Sequence, residues 1–502
     1  MLVIGLGAGL TVEDVPSSVD EIYVVELEPE VIHANRHLSP LRRKDPLADP
    51  RLRLHQGDAR GSLARTHRRF DVIVSQPSHP WTTGASHLFT REFFSQARDR
   101  LQPDGVFVQW MGLRFLDQDL LRSLLATLHR VFPHIEVYQP RPGALLFLGS
   151  ARPLNLDRDA PIALDRDLHP WSLVGVTRPE EVTVARVLAT DGARGLAAHA
   201  PVSTDGRNQL RIRSPRVSSG RSLAKYGVDA LFAPYDPLRT GLFAAERASR
   251  LRRLRRMVAT GQAERALRLA AEFGDRLEHQ IVLGLAHLTA GRPRAATESL
   301  RRALQLDNTA PEARSAWLRL HRSTIEQGRD LRATTGLSFS PTEAESWVTT
   351  GWLLAAAEDW AAVETLDGQL ADIDPLHPLF PEATRLRARW RIDDDSHHRE
   401  ASILAGVTLV DSLLSPVPSA EDLLLRARAG LRLGEPRMAL AAVDESTPRL
   451  RGPGQRTAAR SILKSLATIV HDPTVAARAL ELGERLKQRT DRPAATDTLG
   501  DR

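Results

Sequence analysis

Residues 1–30 read MLVIGLGAGLTVEDVPSSVDEIYVVELEPE. Leu2, Val3 and Ile4 form a short apolar run of the kind that makes a buried strand, and Gly5, Gly7 and Gly9 follow at once. A second apolar run, Ile22 to Val25, ends on Glu26. This is the nucleotide-binding pattern of a doubly wound α/β domain. Glycines let the backbone approach a ligand as the strand turns towards a helix, and an acid closing the next strand can accept hydrogen bonds from ribose hydroxyls. A tight βα turn followed by a surface glutamate would leave the same letters, so the neighbouring segments carry the decision.

Working outward, Pro29 to Arg36 reads as a helix and Leu41 to Pro50 as a basic, proline-broken loop. Arg51 to His55 alternates as a third strand and runs into Gly57 and Asp58. An Asp directly after a strand can cap a helix; it can equally accept from the exocyclic amine of an adenine. Phe70 to Val74 is a fourth strand, ending in Ser75-Gln76-Pro77-Ser78-His79-Pro80-Trp81. Thr90 caps a helix running to about Leu101, Val106 to Trp110 is a fifth strand, and Asp117 to Val131 is an amphipathic helix. Ile135 to Tyr138 and Ala144 to Leu148 read as a terminal hairpin. The pattern predicts a Rossmann-like α/β fold with the seven-stranded sheet of S-adenosylmethionine-dependent transferases. Ligands of open α/β sheets bind at the carboxyl ends of strands, where Gly5 to Gly9, Glu26, Asp58 and Gln76 to His79 would all sit.

At 502 residues the chain has room for roughly three domains. It contains no cysteine, which excludes disulfides, thiolate metal sites and cysteine nucleophiles. The net charge of +6 suits an anionic partner or simply an arginine- and alanine-rich proteome, and the second reading is preferred. No apolar run reaches the ~20 residues needed to span a bilayer, and no signal peptide precedes the first strand, so the expected location is cytoplasmic. A strand at residue 2 that belongs in the middle of its sheet points to a segment upstream of Met1. A spanning region there would make the protein membrane-associated.

The run from Leu2 to Trp110 resembles the spermidine synthase (polyamine aminopropyltransferase) family. VIGLGAGL stands where its glycine-rich loop would be, VVELEPEVI matches its ribose-binding strand and DPRLRLHQGDAR its adenine-binding segment. FDVIVSQPSHPW…HLFTREFF…RLQPDGVFVQW covers its catalytic loop and the following helix and strand. The form with Trp81 resembles a divergent branch in which this domain is fused behind a multi-span membrane region. Pro201 to Asp205 followed by Leu210 to Arg216 looks like the tail of that branch. The resemblance implies a synthase-like domain over 1–150, a family-like tail over 151–216 and a linker over 217–239. It also implies decarboxylated S-adenosylmethionine or S-adenosylmethionine as co-substrate, with no metal. Gly5, Gly7 and Gly9 would line the aminopropyl or aminoacyl end of the nucleotide, Glu26 would bind the ribose diol and Asp58 the adenine amine.

The catalytic positions do not carry over. Where the family's loop supplies two aspartates, this chain has Gln76 and His79, and Ala8 replaces an aspartate of the glycine-rich loop. The nucleophile is an ammonium at neutral pH and needs carboxylates to attract it and a base to take its proton. Gln76 carries no charge, and His79 could take a proton but as a cation would repel a polyamine. The family's N-terminal β-domain, which helps close the amine pocket, is also absent.

Asp157, Asp159, Asp165 and Asp167 lie in a loop-rich acidic stretch that could face a cationic substrate, but Arg158 and Arg166 between them favour a solvated surface. From 240 to 502 helical patterns dominate. Gly284 and Ala296, Gly351 and Val363, and Ala427 and Ala439 are each twelve residues apart, and Leu254 with Ala266 suggests an earlier copy. Anchors at Leu254, Gly284, Leu318 and Gly351 step by about 34 residues, so the region resembles tetratricopeptide repeats and offers a surface for a peptide or protein. Arg252, Arg253, Arg255 and Arg256 lack interleaved aromatics and read as a solvated helix face, so no nucleic-acid partner is expected. Asp393 to Asp395 with His397 and His398 have metal-ligand types but are read as a polar loop.

The expected function is aminopropyl transfer from decarboxylated S-adenosylmethionine to a small amine, in polyamine biosynthesis. Two alternatives use the same residues: a degenerate synthase domain serving with the repeats as a protein-binding scaffold, and a methyltransferase.

Overall fold

Strands β1 (Leu2–Ile4), β2 (Ile22–Glu26), β3 (Leu52–Gln56), β4 (Phe70–Ser75), β5 (Leu101–Gly112), β6 (His134–Tyr138), β7 (Ala144–Ser150) and β8 (Arg186–Leu188) form a single sheet in a computed structural model of the chain. The structure describes all residues except 14, 40–44, 78, 83, 142, 167–175, 177, 218–221, 274–275, 330–340, 395–399, 414–418, 448–449, 451–452, 470–471 and 492–502. Asp167, Asp395, His397 and His398 therefore lie outside the described residues.

The strand order is β3-β2-β1-β4-β5-β7-β6-β8. β1 is central, hydrogen-bonded in parallel to β2 and to β4, and β4 continues in parallel to β5. β7 then inserts antiparallel between β5 and β6. Side chains of a strand alternate between faces, and both faces of this sheet are covered. Leu2, Ile4 and Ile73 join one core with Phe93, Phe94, Phe107 and Phe147, while Val3, Ile22, Val24 and Ile32 join the other. The helices that position the site are α1 (Leu10–Glu13), α2 (Pro29–Leu38), α3 (Ala59–Arg65), α4 (Arg91–Asp99) and α5 (Gln118–His129). Thr90 and Asp117 cap α4 and α5 by accepting from the Phe93 and Leu120 amides.

The sheet has eight strands, not the expected seven. The eighth, β8, pairs antiparallel with β6 through Val137 and Leu188. Three residues are too few to display a period, and what places them is burial of Val187 and Leu188. The stretch expected as an acidic loop is instead a helix over Leu156–Arg166. Within the span expected as a linker, 217–239, Leu223, Val228 and Phe232 are buried in the sheet core, and Leu223 N–H donates to the Leu116 carbonyl. Glycine and proline punctuation there marks turns between short helices rather than a spacer.

Among the described residues two compact units emerge, one running from Met1 to Phe273 and one from Arg276 onward. The helices Arg247–Ala259 and Ala263–Glu272, expected as the first of the repeats, belong to the sheet unit. Arg265 explains this. Its buried guanidinium donates to both Asp236 oxygens, to Gln262 Oε1 and to the carbonyls of Val184 and Arg186 beside β8. The arginine run is also less solvated than expected, since Arg252, Arg253, Arg255 and Arg256 are all half-buried and Arg252 reaches Glu180 at 3.6 Å.

Helices are the only regular structure among the described residues of the second unit. Small residues do let its helices approach closely. A Cβ at Gly284 would lie 2.6 Å from Leu300 Cδ2, one turn beyond the expected Ala296. At Gly351 it would meet Leu386 at 2.7 Å rather than Val363. Ala427 and Ala439 share one core. At Gly430 the added Cβ would lie 2.9 Å from the Ala439 nitrogen and 3.1 Å from the Glu435 oxygen, backbone atoms that cannot step aside. Overpacking of about 1–3 kcal/mol then exceeds the ~1 kcal/mol helix-propensity gain of alanine over glycine. Gly430→Ala is expected to destabilise this unit by about 1 kcal/mol, read as a lower urea midpoint; a raised midpoint would refute the close contact.

Candidate functional site

The chain runs from β1 to β2 and β3 on one side, then returns to β4 and β5 on the other. The crevice where the order reverses lies at the carboxyl ends of β1 and β4, the usual ligand position of open α/β sheets. The loop between β1 and α1 opens there. Gly5, Gly7 and Gly9 have φ of +88°, +53° and +78°, the left-handed region in which a side chain is strained. A Cβ at Gly5 would also press on the Gln76 carbonyl at 3.3 Å, whereas beside Gly7 nothing lies within 4 Å.

Three side chains hold this loop. Glu26, 7% exposed at the end of β2, accepts on Oε2 from Leu6 N–H at 2.7 Å and Gly7 N–H at 3.4 Å, and on Oε1 from Glu28 N–H at 3.0 Å. Asn35 on α2 donates through Nδ2 to the Gly7 carbonyl at 2.7 Å. Gln76 donates through Nε2 to the Gly5 carbonyl at 2.8 Å and accepts on Oε1 from the Thr11 hydroxyl at 2.6 Å. Gln76 thus acts as a clasp on the loop after β1, with both ends of its amide engaged. Asp58 is exposed and caps α3, Oδ2 accepting from Gly61 N–H at 2.6 Å. Of the two local readings of this residue, the cap is realised on one oxygen, which leaves Oδ1 for a further donor.

On the β4 and β5 side a different chemistry collects. The His79 ring lies 5.1 Å from Trp81 and 5.3 Å from Phe115, and Trp81 meets Phe115 edge-on at 5.3 Å. Arg114 lies over the Phe115 ring at 4.5 Å and brings Nη2 to 3.4 Å from His79 Nε2. Phe115 and Arg114 come from the 3₁₀ turn Leu113–Phe115 that follows β5. Neither was legible as a site residue, because β5 alone carries them to His79.

The tail around Asp205 returns to this unit. Arg60 on α3 donates to both Asp205 oxygens, at 2.8 and 2.9 Å, and the Thr90 hydroxyl adds a third bond at 2.7 Å. The Arg60 guanidinium holds the Asp205 carboxyl below its ordinary value. Asn208 Nδ2 donates to the Ser86 carbonyl, and the Ser214 hydroxyl to that of Phe115. The tail therefore fixes α3, α4 and the segments after β4 and β5.

Residues 1–140 match the family model described as the spermine/spermidine synthase domain. The N-terminal part of this chain is thus similar to spermidine synthase domains. The polyamine aminopropyltransferase of Synechococcus sp. is 37% identical over 115 residues, covering 22% of this chain and 37% of the relative. That of Salmonella arizonae is 33% identical over 141 residues, covering 28% of this chain and 49% of the relative. The chain spans less than half the length of either. A crystal structure of spermidine synthase from Thermotoga maritima is 28% identical, with 30% of this chain and 53% of that one covered and a TM-score of 0.27. Within this region the loop after β1 carries its three glycines with Glu26 and Asp58 at neighbouring strand ends, and the loop after β4 carries Gln76 and His79 where the family's two aspartates are expected, with Arg114 beside His79.

Among the described residues no helix is long and apolar enough to cross a membrane, and no group of three or more His, Asp or Glu could hold a metal ion. Asp393, one of the metal-ligand types read from the sequence, pairs instead with Arg428 at 3.0 Å.

Proposed function

We propose that the sheet unit binds decarboxylated S-adenosylmethionine, or a related adenosyl sulfur compound, and transfers its aminopropyl group to an amine. The observation that carries this reading is the clamped loop of left-handed glycines at the reversal point of a domain similar to spermidine synthase domains. The residues fit such a nucleotide. A carboxylate offers about four lone-pair positions; Glu26 uses three, which leaves Oε1 able to take a ribose hydroxyl. Asp58 Oδ1 can accept from the adenine amine, and the open side of Gly7 gives room for the sulfur-bearing end.

In the transfer, the acceptor nitrogen's lone pair forms a bond to the methylene carbon next to the sulfonium. The carbon–sulfur bond breaks, sulfur keeps the electron pair, and methylthioadenosine leaves. The proton shed by the new ammonium passes to His79, a protonatable side chain of the loop after β4. The helical unit is read as tetratricopeptide-like helix pairs with a face for a peptide partner.

Asp58→Asn separates the nucleotide role from the cap. Asn caps helices as well as Asp does, but with its only oxygen on Gly61 N–H it turns an N–H towards the adenine amine. We expect the urea midpoint to hold and methylthioadenosine affinity, measured by calorimetry on the full chain, to fall about ten-fold, or ~1.4 kcal/mol. Unchanged affinity in both Asp58→Asn and Asp58→Ala would reject the adenine contact.

A further inference from the structure

We infer that the acceptor side of this site takes an amine that also bears a carboxylate, an amino acid with a primary amine on its side chain, in preference to a plain diamine. The inference rests on the proposed adenosyl-sulfur transferase reading and names its acceptor class. Its first ground is charge. From Val72 to Arg91 the chain has no Asp or Glu, and from Val106 to Leu116 there is none either. These stretches form the carboxyl ends of β4 and β5 and the loops that leave them. They carry His79 and Arg114, with Nη2 of the guanidinium 3.4 Å from the imidazole Nε2.

The acids that border the two stretches are already engaged. Asp117 accepts from Leu120 N–H on one oxygen and pairs with Arg213 through the other. Glu92 accepts from Arg91 and from Asp205 N–H. Neither stretch is therefore arranged to attract a dication, and putrescine has no carboxylate to offset its second ammonium beside a permanently charged guanidinium. A carboxylate has the opposite fate there. Arg114 is exposed, its flat face rests on Phe115, and its fork of N–H groups matches a carboxylate with two parallel charge-assisted bonds.

The aromatic walls supply the rest. Trp81, half-buried and edge-on to the buried Phe115 at 5.3 Å, presents apolar surface to the methylenes between the carboxylate and the reacting amine. With its carboxylate on Arg114, such an acceptor can extend its side-chain amine past Trp81 towards the glycine loop that Gln76 ties to the end of β4. Arg114 is here a specificity residue: it decides which amine enters, and the bond changes of the transfer are those already given.

Ornithine and putrescine test this cleanly, because they differ by one carboxylate. The full chain, saturated with methylthioadenosine, is titrated with each by calorimetry. Ornithine is expected to bind at least ten-fold more tightly. Arg114→Gln should remove the difference, and Arg114→Glu should reverse it in favour of putrescine. Since Arg114 is exposed, both variants are expected to keep the wild-type urea midpoint, which is measured alongside. Equal or tighter binding of putrescine, no binding of either, or an ornithine preference indifferent to Arg114 would each overturn the inference while leaving the nucleotide reading standing. Failure of the wild type to bind methylthioadenosine would instead remove the nucleotide reading itself.

Discussion

Glu26→Ala is expected to abolish methylthioadenosine binding and to lower the stability of the sheet unit by about 2–4 kcal/mol, because one substitution strips the glycine loop of its anchor. Three backbone N–H groups converge on this carboxylate, and the bond from Leu6 is buried. A buried donor left without a partner costs about 1–3 kcal/mol, and the other two reach water only in part. The left-handed glycines would then have no reason to hold their turn, so the nucleotide would meet a loop it must first order. Glu26→Gln keeps an acceptor for Leu6 but sets an amide N–H against that of Glu28, so it should fall between wild type and Glu26→Ala. Urea unfolding reports the first effect and calorimetry the second. A Glu26→Ala protein with undiminished affinity would show that the loop needs neither its anchor nor a ribose acceptor.

Asp236→Ala is expected to cost about 3–5 kcal/mol, the usual consequence of leaving one member of a buried ion pair behind. Arg265 and Asp236 have side chains only 4% and 2% exposed. All five N–H bonds of Arg265 are satisfied, two of them by Asp236, so the guanidinium cannot turn to water without breaking the rest. Replacing both members, Asp236→Leu with Arg265→Met, should cost less than Asp236→Ala alone, since no buried guanidinium is then stranded and Arg268, which also reaches Asp236 at 3.2 Å, keeps Asp229. The pair also sets a pH dependence. Burial on its own would raise the Asp236 carboxyl, but the hydrogen bonds and charge of Arg265 overcome it and hold the group below its ordinary value. A carboxyl that is more acidic folded than unfolded stabilises fully above its unfolded value of about 3.9 and loses that contribution as pH falls through the folded one. The urea midpoint of wild type should therefore drop more steeply below pH 4 than that of Asp236→Asn. Parallel curves would show that the pair is energetically silent.

Much of the proposed nucleotide side was legible in the letters, because it is built from local rules. Three apolar residues before a run of glycines make a strand and a turn wherever they stand, and the positive φ of Gly5, Gly7 and Gly9 is the conformation that residue type permits. The caps at Asp58, Thr90 and Asp117 act over three residues. Period and apolar content likewise settled β1 to β7 and the helical character of the second half. The acceptor side follows no such rule. Gln76 reads as an eroded catalytic position until the sheet brings Gly5 and Thr11 to the two ends of its amide. His79 acquires Arg114 only because β5 lies beside β4, and Asp205 acquires Arg60 from 145 residues away.

The same holds for the boundary of the sheet unit. The helix Ala263–Glu272 has the pattern of a repeat, yet Arg265 and Asp236 hold it beside the added strand β8. The sequence by itself determined strands β1 to β7, the helices between them and the helical character of the second half, since backbone sterics and hydrophobic period act within a few residues. Only the tertiary structure decided which charges meet and which are buried, because pairing across the sheet depends on neighbours that the order of residues does not place together.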